Sequence, residues 1–170
     1  MKVVCDASPL ISLAKLNQLG LLIELYDQIL MPFEVYNEVV TEGIRLGLPD
    51  AYDIKLLIDK KYIVVKKTSV LDLSESEYKT IDIGEAKVIS LAIKERADIV
   101  LIDELTARNI ARKKKLTIKG TIGVLIDAYR KELITFRQLE ILIETIEEHP
   151  DLWISKELCE QVLKSLKKFK

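Results

Sequence analysis

The amino-acid sequence predicts an α/β sandwich built around a parallel sheet of five strands. Short apolar runs rich in Val and Ile alternate along the chain with longer segments whose apolar residues recur at helical spacing. Such alternation is typical of a parallel sheet covered by helices. The run at residues 99–102 is apolar at every position, which indicates a strand in the middle of the sheet.

The composition favours a single folded domain and limits the chemistry that it can perform. The chain has 170 residues, 49% hydrophobic and 31% charged, and no apolar run approaches the ~18 residues of a membrane helix. The first residues do not resemble a signal peptide, so we expect a cytoplasmic protein. With two Cys and one His, an enzyme of this composition would depend on carboxylates rather than on zinc or imidazole chemistry. We place the main domain at residues 1–150 and an amphipathic C-terminal helix packed on it at 151–170.

The first half of the chain starts with a predicted strand over residues 3–5, which ends at Asp6. Ser8 and Pro9 suit the N-cap and the first position of the helix that follows, whose apolar residues continue to about Leu16. The further elements predicted here are a short helix after Gly20, a strand over 28–31, a helix that Pro32 opens and that Gly43, Gly47 and Pro49 break, a helix over 51–60 and a strand over 62–65.

The second half contains two capping-box patterns. Ser74 to Glu77 predicts a short helical turn, and Asp82 to Glu85 repeats the spacing before an amphipathic helix that runs to Arg96. The remaining predicted elements are strands over 99–102 and 116–118 and helices over 104–114, 122–131, 136–148 and 156–168.

Two acids, Asp6 and Asp103, directly follow the first and fourth predicted strands. In open parallel sheets, ligands bind beyond the carboxyl ends of the strands, near the point where the strand order reverses. Each Asp also has an ordinary explanation as a helix cap, although Ser8 is better placed than Asp6, and Asp103 has Thr106 at its N3 position. Two anions brought close together repel each other unless a cation joins them, so we treat both as candidate site residues.

Two glutamates are further candidates, each with a plainer alternative. Glu85 lies in the first turn of the long helix, where the helix dipole favours a carboxylate, but it also fits the capping box begun by Asp82. Glu38 lies between Val35 and Val39 on its predicted helix, and most glutamates in such positions are simply solvated.

A basic stretch is the candidate for a nucleic-acid contact. Its cations include Arg108, Arg112, Lys113, Lys114 and Lys115, with no acid among them. The formal net charge of −1 argues against a histone-like binder but is compatible with a local basic patch beside acids. The alternative is a solvated helix face.

Five segments of the chain carry a resemblance when they are taken in order. They are Val-Val-Cys-Asp-Ala-Ser-Pro-Leu-Ile (3–11), Met-Pro-Phe-Glu-Val-Tyr-Asn-Glu-Val (31–39), Ile-Gly-Glu-Ala-Lys-Val-Ile (83–89), Val-Leu-Ile-Asp-Glu (100–104) and Gly-Thr-Ile-Gly-Val-Leu (120–125). This ordered set resembles PIN domains, and most of all their prokaryotic VapC-like subfamily of predicted nucleic-acid-binding proteins. The resemblance covers roughly residues 1–150.

The resemblance implies a three-layer α/β/α sandwich with a five-stranded parallel sheet and extra C-terminal helices. The acids that match the family's metal-binding and catalytic positions are Asp6, Glu38, Glu85 and Asp103. They imply a site for Mg²⁺ or Mn²⁺ that hydrolyses phosphodiester bonds in single-stranded or structured RNA. Ser8 and Thr121 match supporting hydroxyl residues. Lys87 departs from the pattern, because subfamily members often carry another acid there.

The resemblance also suggests partners. A VapC-like protein is expected to be the toxin of a toxin–antitoxin pair, with a small antitoxin as its partner, and PIN domains often form homodimers. Arg108, five residues after Asp103, is the cation of the basic stretch expected to face the site and hold the flanking RNA backbone.

Other readings of the acids are less compatible with the sequence. A phosphatase of the haloacid dehalogenase kind needs a second Asp where Ser8 stands, and a response-regulator receiver needs an Asp within residues 65–69, which contain none. A non-catalytic RNA- or protein-binding PIN-like module remains the alternative function.

Overall fold

The computed structural model describes residues 1–70, 73–152 and 154–167. The chain forms two compact units, Met1–Thr121 and Ile122–Lys170. The end of the last predicted helix, at residue 168, lies outside the described residues. The extent of the main domain to residue 150 stays a prediction.

Five parallel strands form the sheet of the first unit, as the sequence predicts. The strands are β1 Lys2–Cys5, β2 Gln28–Pro32, β3 Ile63–Lys66, β4 Ile99–Leu101 and β5 Ile118–Lys119. Their order in the sheet is β3-β2-β1-β4-β5. β1 is central, since Val3 lies opposite Ile29 on β2 and Ile99 on β4. The strand order reverses between β1 and β4, so a ligand is expected beyond Cys5 and Leu101.

The helices of this unit connect the strands and cover both faces of the sheet. They are α1 Ala7–Lys15, α2 Gly20–Leu25, α3 Phe33–Tyr36, a π-helical stretch Asn37–Glu42, α4 Gly43–Arg45, α5 Pro49–Asp59, α6 Glu75–Tyr78, α7 Ile83–Glu95 and α8 Leu105–Lys113. The chain moves in one direction from β1 to β3 and then crosses back to β4 and β5. Right-handed crossovers therefore place α1 and α5 on one face and α7 and α8 on the other. The three-layer α/β/α sandwich is confirmed.

The start of α1 differs from the prediction. The helix begins at Ala7 rather than at Pro9, so Asp6 and not Ser8 occupies the N-cap position. Pro9 is tolerated in the first turn because the amides there have no partner within the helix. The prediction that Ser8 caps the helix is wrong, yet the Asp6 side chain makes no capping hydrogen bond.

The helix after β2 ends at Arg45, within the predicted break from Gly43 to Pro49. Gly43 itself serves close packing, because a Cβ there would lie 2.6 Å from the Ala51 Cβ. One strand boundary differs for a reason of register. β5 lies later than predicted because β4 sets its register: the Ile102 amide donates to the Lys119 carbonyl at 2.9 Å.

The second unit is helical. α9 Thr121–Arg130 begins at the last residue of the first unit, and α10 Phe136–Glu148 and α11 Lys156–Lys167 follow. A capping box of Thr135 and Gln138 starts α10, which packs against α11. In the described part of the chain, no helix is long and apolar enough to cross a membrane.

Lys87 connects three segments of the first unit. Its ammonium lies 3.2 Å from Glu34 Oε1 on α3 and donates to the Thr68 carbonyl at 2.5 Å. Lys87, the position that departs from the resembled pattern, thus fixes α7 to α3 and to the segment after β3. Both side chains of the ion pair are largely buried.

We expect Lys87→Met to lower the free energy of unfolding by about 1–3 kcal/mol, because Glu34 would stay buried without its cation. Urea unfolding measures the loss. The double variant Lys87→Met with Glu34→Leu should recover most of it, since both polar groups are then removed. A loss below about 0.5 kcal/mol in the single variant would show that the ion pair is solvated and unimportant.

Candidate active site

Asp6 stands at the end of the central strand, where the sequence predicts a site. Its backbone amide donates to the Leu101 carbonyl at 3.0 Å, which joins the ends of β1 and β4. Its side chain is only 5% exposed. Burial raises the pKa of the Asp6 carboxyl well above its usual range, and repulsion from Glu85, Asp82 and Glu38 raises it further, against one backbone hydrogen bond that lowers it.

Glu85 is both a helix cap partner and a member of this acidic group. Its backbone amide donates to Asp82 Oδ1 at 2.8 Å, and its Oε2 accepts from the Asp82 amide at 3.0 Å, so the predicted capping box is present. The residue is nevertheless buried. Burial raises the pKa of Glu85 to about 7, with repulsion from Asp82, Glu104 and Glu38 adding to the effect.

Glu38 approaches the same group from a distorted helix. It lies in the π-helical stretch Asn37–Glu42, and local widening of this kind occurs frequently at functional sites. Gly84 lies beside it: a Cβ at this glycine would be in ordinary contact with Glu38 Oε2 at 3.6 Å and tight only against Asp82 Oδ1 at 3.2 Å. Glu38 remains exposed to solvent, as its plainer alternative predicts, and partial desolvation followed by repulsion from Asp82 raises its pKa.

Asp103 follows β4, and its oxygens are held by the start of α9. Its Oδ1 accepts from the Thr121 amide at 2.8 Å, and its Oδ2 accepts from Thr121 Oγ1 at 2.5 Å. Burial raises the pKa of Asp103, while Thr121, Arg108 and a hydrogen bond from Ser8 oppose the rise. The helix cap is instead Glu104, which accepts from the Ala107 amide at 2.7 Å, so the capping alternative for Asp103 is wrong.

The structure brings Asp6, Glu38 and Glu85 into one electrostatically coupled group, with Asp103 at the adjoining strand end. Cys5 lies near both aspartates, because burial, Asp6 and Asp103 together raise the pKa of its thiol. Across the described ranges, no three His, Cys, Asp or Glu side chains are already arranged as an ion site.

Asp82 and Glu104 also act on this group, and the sequence reasoning missed them as site members. Asp82 raises the pKa of Asp6, Glu38 and Glu85, and Glu104 raises that of Glu85. The sequence does place both acids close to candidate site residues, but helix capping was a sufficient explanation for each of them.

In chemical type the donor set fits a divalent cation. Burial raises the pKa of all four predicted acids, and repulsion from neighbouring carboxylates adds to the rise for Asp6, Glu38 and Glu85 but not for Asp103. Hard divalent cations prefer carboxylate oxygens and would offset this repulsion. The oxygen donors are therefore of the type that such cations prefer, although the described side chains do not form a ready ion site.

The predicted basic residues differ in their surroundings. Arg108 is half-buried and Nη1 donates to the Ile102 carbonyl at 2.8 Å. Arg112 is exposed and donates to Asn109 at 3.0 Å. Lys113 and Lys115 are exposed, whereas Lys114 forms an ion pair with Glu77 at 3.0 Å.

The raised pKa values predict that the metal-free protein loses stability as pH rises. A carboxyl whose pKa is higher in the folded than in the unfolded chain keeps its proton longer when folded, so stability falls between the two pKa values. For Glu85 this window runs from 4.5 to about 7. We expect urea unfolding in EDTA to show about 1–2 kcal/mol less stability at pH 8 than at pH 5.

Saturating Mn²⁺ is expected to remove most of that loss, because the cation binds the ionised carboxylates of the folded state. Stability that increases from pH 5 to pH 8 in EDTA would contradict the coupling described for these acids.

Comparison with known proteins places this geometry in context. A family model described as a PIN domain matches residues 2–168. No curated protein matches the chain. Among solved structures, the chain is similar to a domain of a functionally unknown protein from Methanocaldococcus jannaschii DSM 2661. The two are 19% identical, the match covers 71% of this chain and 91% of the other, and the TM-score is 0.46.

Proposed function

Because the chain belongs to the PIN-domain family, whose fold is generally that of nucleases, we propose that it is a divalent-metal-dependent ribonuclease. It would hydrolyse phosphodiester bonds of single-stranded or structured RNA. The observation that supports this most is the coupled group of Asp6, Glu38 and Glu85 beside Asp103, at the edge where the strand order reverses. Its chemistry is that of a cation-binding site rather than of a structural ion pair.

Asp6, Glu38, Glu85 and Asp103 would hold Mg²⁺ or Mn²⁺. When bound, the ion would lower the pKa of a water for attack on phosphorus and stabilise the leaving oxygen. Thr121 holds both oxygens of Asp103 in place, and the capping box with Asp82 orients Glu85. Without a cation the acids would repel a phosphate group, so the ion also permits the substrate to enter.

Exposed cations of the basic stretch would bind RNA backbone that extends away from the acids. Arg112, Lys113 and Lys115 lie at the end of α8 that is farther from Asp103, or just after it, and are exposed to solvent. Cations at such positions attract phosphates in a salt-dependent manner. Lys114 is the least available of the predicted set, because Glu77 neutralises it.

Two assemblies belong to the same proposal. The protein would act in the cytoplasm as the toxin of a toxin–antitoxin pair, with a small antitoxin segment covering the acids. A short reading frame beside the gene would support this.

The protein would also form a homodimer. Leu46, Tyr52 and Leu56 are exposed along α4 and α5 and offer apolar area for a second copy, which light scattering would test.

The decisive experiment is cleavage of labelled single-stranded RNA and DNA with Mn²⁺, Mg²⁺ or EDTA. Asp103→Asn is the test variant, and Asp98→Asn is its matched control. Asp98 stands just before the opposite end of β4, is exposed, and accepts from the Lys2 amide at 2.7 Å, which an asparagine oxygen can also do. We expect RNA cleavage that requires metal and Asp103 but not Asp98.

The other outcomes separate the alternatives. Absence of cleavage together with absence of metal binding in calorimetry would favour the non-catalytic module. Metal binding without cleavage would mean that the substrate, rather than the site, has been wrongly chosen.

A further inference from the structure

The Arg108 side chain is turned toward the protein rather than toward solvent. It belongs to the first turn of α8 and is half-buried, and its Nη1 donates to the Ile102 carbonyl at 2.8 Å. That carbonyl belongs to the residue directly before Asp103. Arg112, one turn later on the same helix, is exposed and bonds only to Asn109 among the hydrogen bonds of the described residues.

Gly120 shows that Arg108 and Asp103 share one small space. A Cβ built at Gly120 would lie less than 3.0 Å from both Asp103 Oδ1 and Arg108 Nη1. The two side chains leave no room for a Cβ at this position. Glycine is therefore explained here by the close approach and not by backbone conformation, because its φ is not positive. Thr121, the next residue, holds both oxygens of Asp103. The guanidinium therefore lies beside a carboxylate whose orientation is already constrained.

We propose that Arg108 is a positioning residue, which holds the Ile102 carbonyl and the Asp103 carboxylate in a fixed relation and does not bind RNA. This inference rests on the nuclease function proposed for the site. The planar guanidinium presents several donors in a rigid fork, so it can serve the carbonyl and face the carboxylate at once. A lysine ammonium has the same charge but no such fork. The RNA-backbone role predicted for Arg108 from the sequence is thereby replaced.

The substitution Arg108→Lys separates the two roles, because it keeps the charge and removes the fork. We expect it to lower kcat by about 10–100-fold, the usual effect of losing a group that orients a metal-binding residue. KM and the salt dependence of RNA binding, measured in EDTA by fluorescence anisotropy, should stay unchanged. Arg112→Ala is the matched contrast and should weaken RNA binding and reduce its salt slope by about 0.7, as expected for one lost phosphate contact on a single strand.

Several results would overturn the inference while leaving the nuclease intact. One is near-normal kcat in Arg108→Lys. Another is a reduced salt slope in Arg108→Ala with unchanged kcat, which would make Arg108 an RNA contact. Circular dichroism establishes whether each variant is folded. If Arg108→Ala does not fold, Arg108→Lys alone decides between a positioning role and an RNA contact.

Calorimetric titration with Mn²⁺ distinguishes failure of this inference from failure of the proposed function. If the wild-type protein binds Mn²⁺ but cleaves nothing, weaker Mn²⁺ binding by Arg108→Lys would support the positioning role without a nuclease. Equal Mn²⁺ binding in that case would overturn it. A wild-type protein that neither cleaves RNA nor binds Mn²⁺ would overturn both.

Discussion

Replacement of Asp6 with asparagine is expected to stabilise the metal-free protein and to abolish the proposed nuclease activity. The carboxyl is buried beside Glu85, Asp82 and Glu38, and each of these acids raises its pKa. A neutral amide removes that repulsion and can donate a hydrogen bond to a neighbouring carboxylate. We expect about 1–3 kcal/mol of added stability at pH 8, or roughly 2–4 °C in Tm per kcal/mol. Activity should fall by at least about 10²-fold.

The pH dependence of this gain is its sharpest test. Since the pKa of Asp6 is higher in the folded chain than in the unfolded one, the destabilisation is complete at high pH and absent once the group is protonated in both states. The difference in Tm between variant and wild type in EDTA should therefore shrink toward pH 5. Asp98→Asn, at the opposite end of β4, should show no such gain in Tm. An Asp6→Asn protein that is less stable than wild type at pH 8 would disprove the repulsion argument.

Loss of the Thr121 hydroxyl is expected to have the second largest effect. Thr121 is fully buried, and its Oγ1 donates to Asp103 Oδ2 at 2.5 Å. Thr121→Val keeps the shape and the backbone N–H bond to Oδ1 but leaves Oδ2 without this donor. We expect kcat to fall about 10–100-fold, as is usual when the group that orients a metal-binding carboxylate is removed. Steady-state kinetics with saturating Mn²⁺ measures the effect.

Thr121→Ser is the matched control, because it restores the hydroxyl and removes only a methyl group. It should retain activity within a few-fold and cost about 0.5–1.5 kcal/mol of stability from the small cavity. If the serine variant loses as much activity as the valine variant, packing of the methyl group rather than the hydrogen bond would be the important contribution.

The sequence was sufficient to predict the layered architecture and the placement of two candidate acids at strand ends. Strand–helix alternation predicts a parallel sheet, and the acids that follow the first and fourth strands lie near each other because these strands are neighbours. Asp6 and Asp103 do stand at the ends of the neighbouring strands β1 and β4.

Features that depend on contacts between distant parts of the chain could not be predicted from the local sequence pattern. The Asp103 cap assignment failed because two successive acids compete for one N-cap position, and the sequence does not show that Glu104 occupies it. The hydrogen bonds from Thr121 to Asp103 join residues on different elements, and the π-helical stretch around Glu38 has no local sequence signature. The Lys87 ion pair likewise depends on the approach of α3 to α7.

The pairing of β1 with β4 has a consequence for the synthesis of the protein. β1 leaves the ribosome first, but its partner β4 and the residue that holds Asp103 follow about 100 residues later. At about 5–20 residues per second, roughly 10 s separate the two events. By the end of this interval the nascent chain contains Asp6, Glu38 and Glu85 but not yet the strand that completes the site. With the nuclease function proposed above, each copy is thus expected to stay inactive until its own β4 has been synthesised.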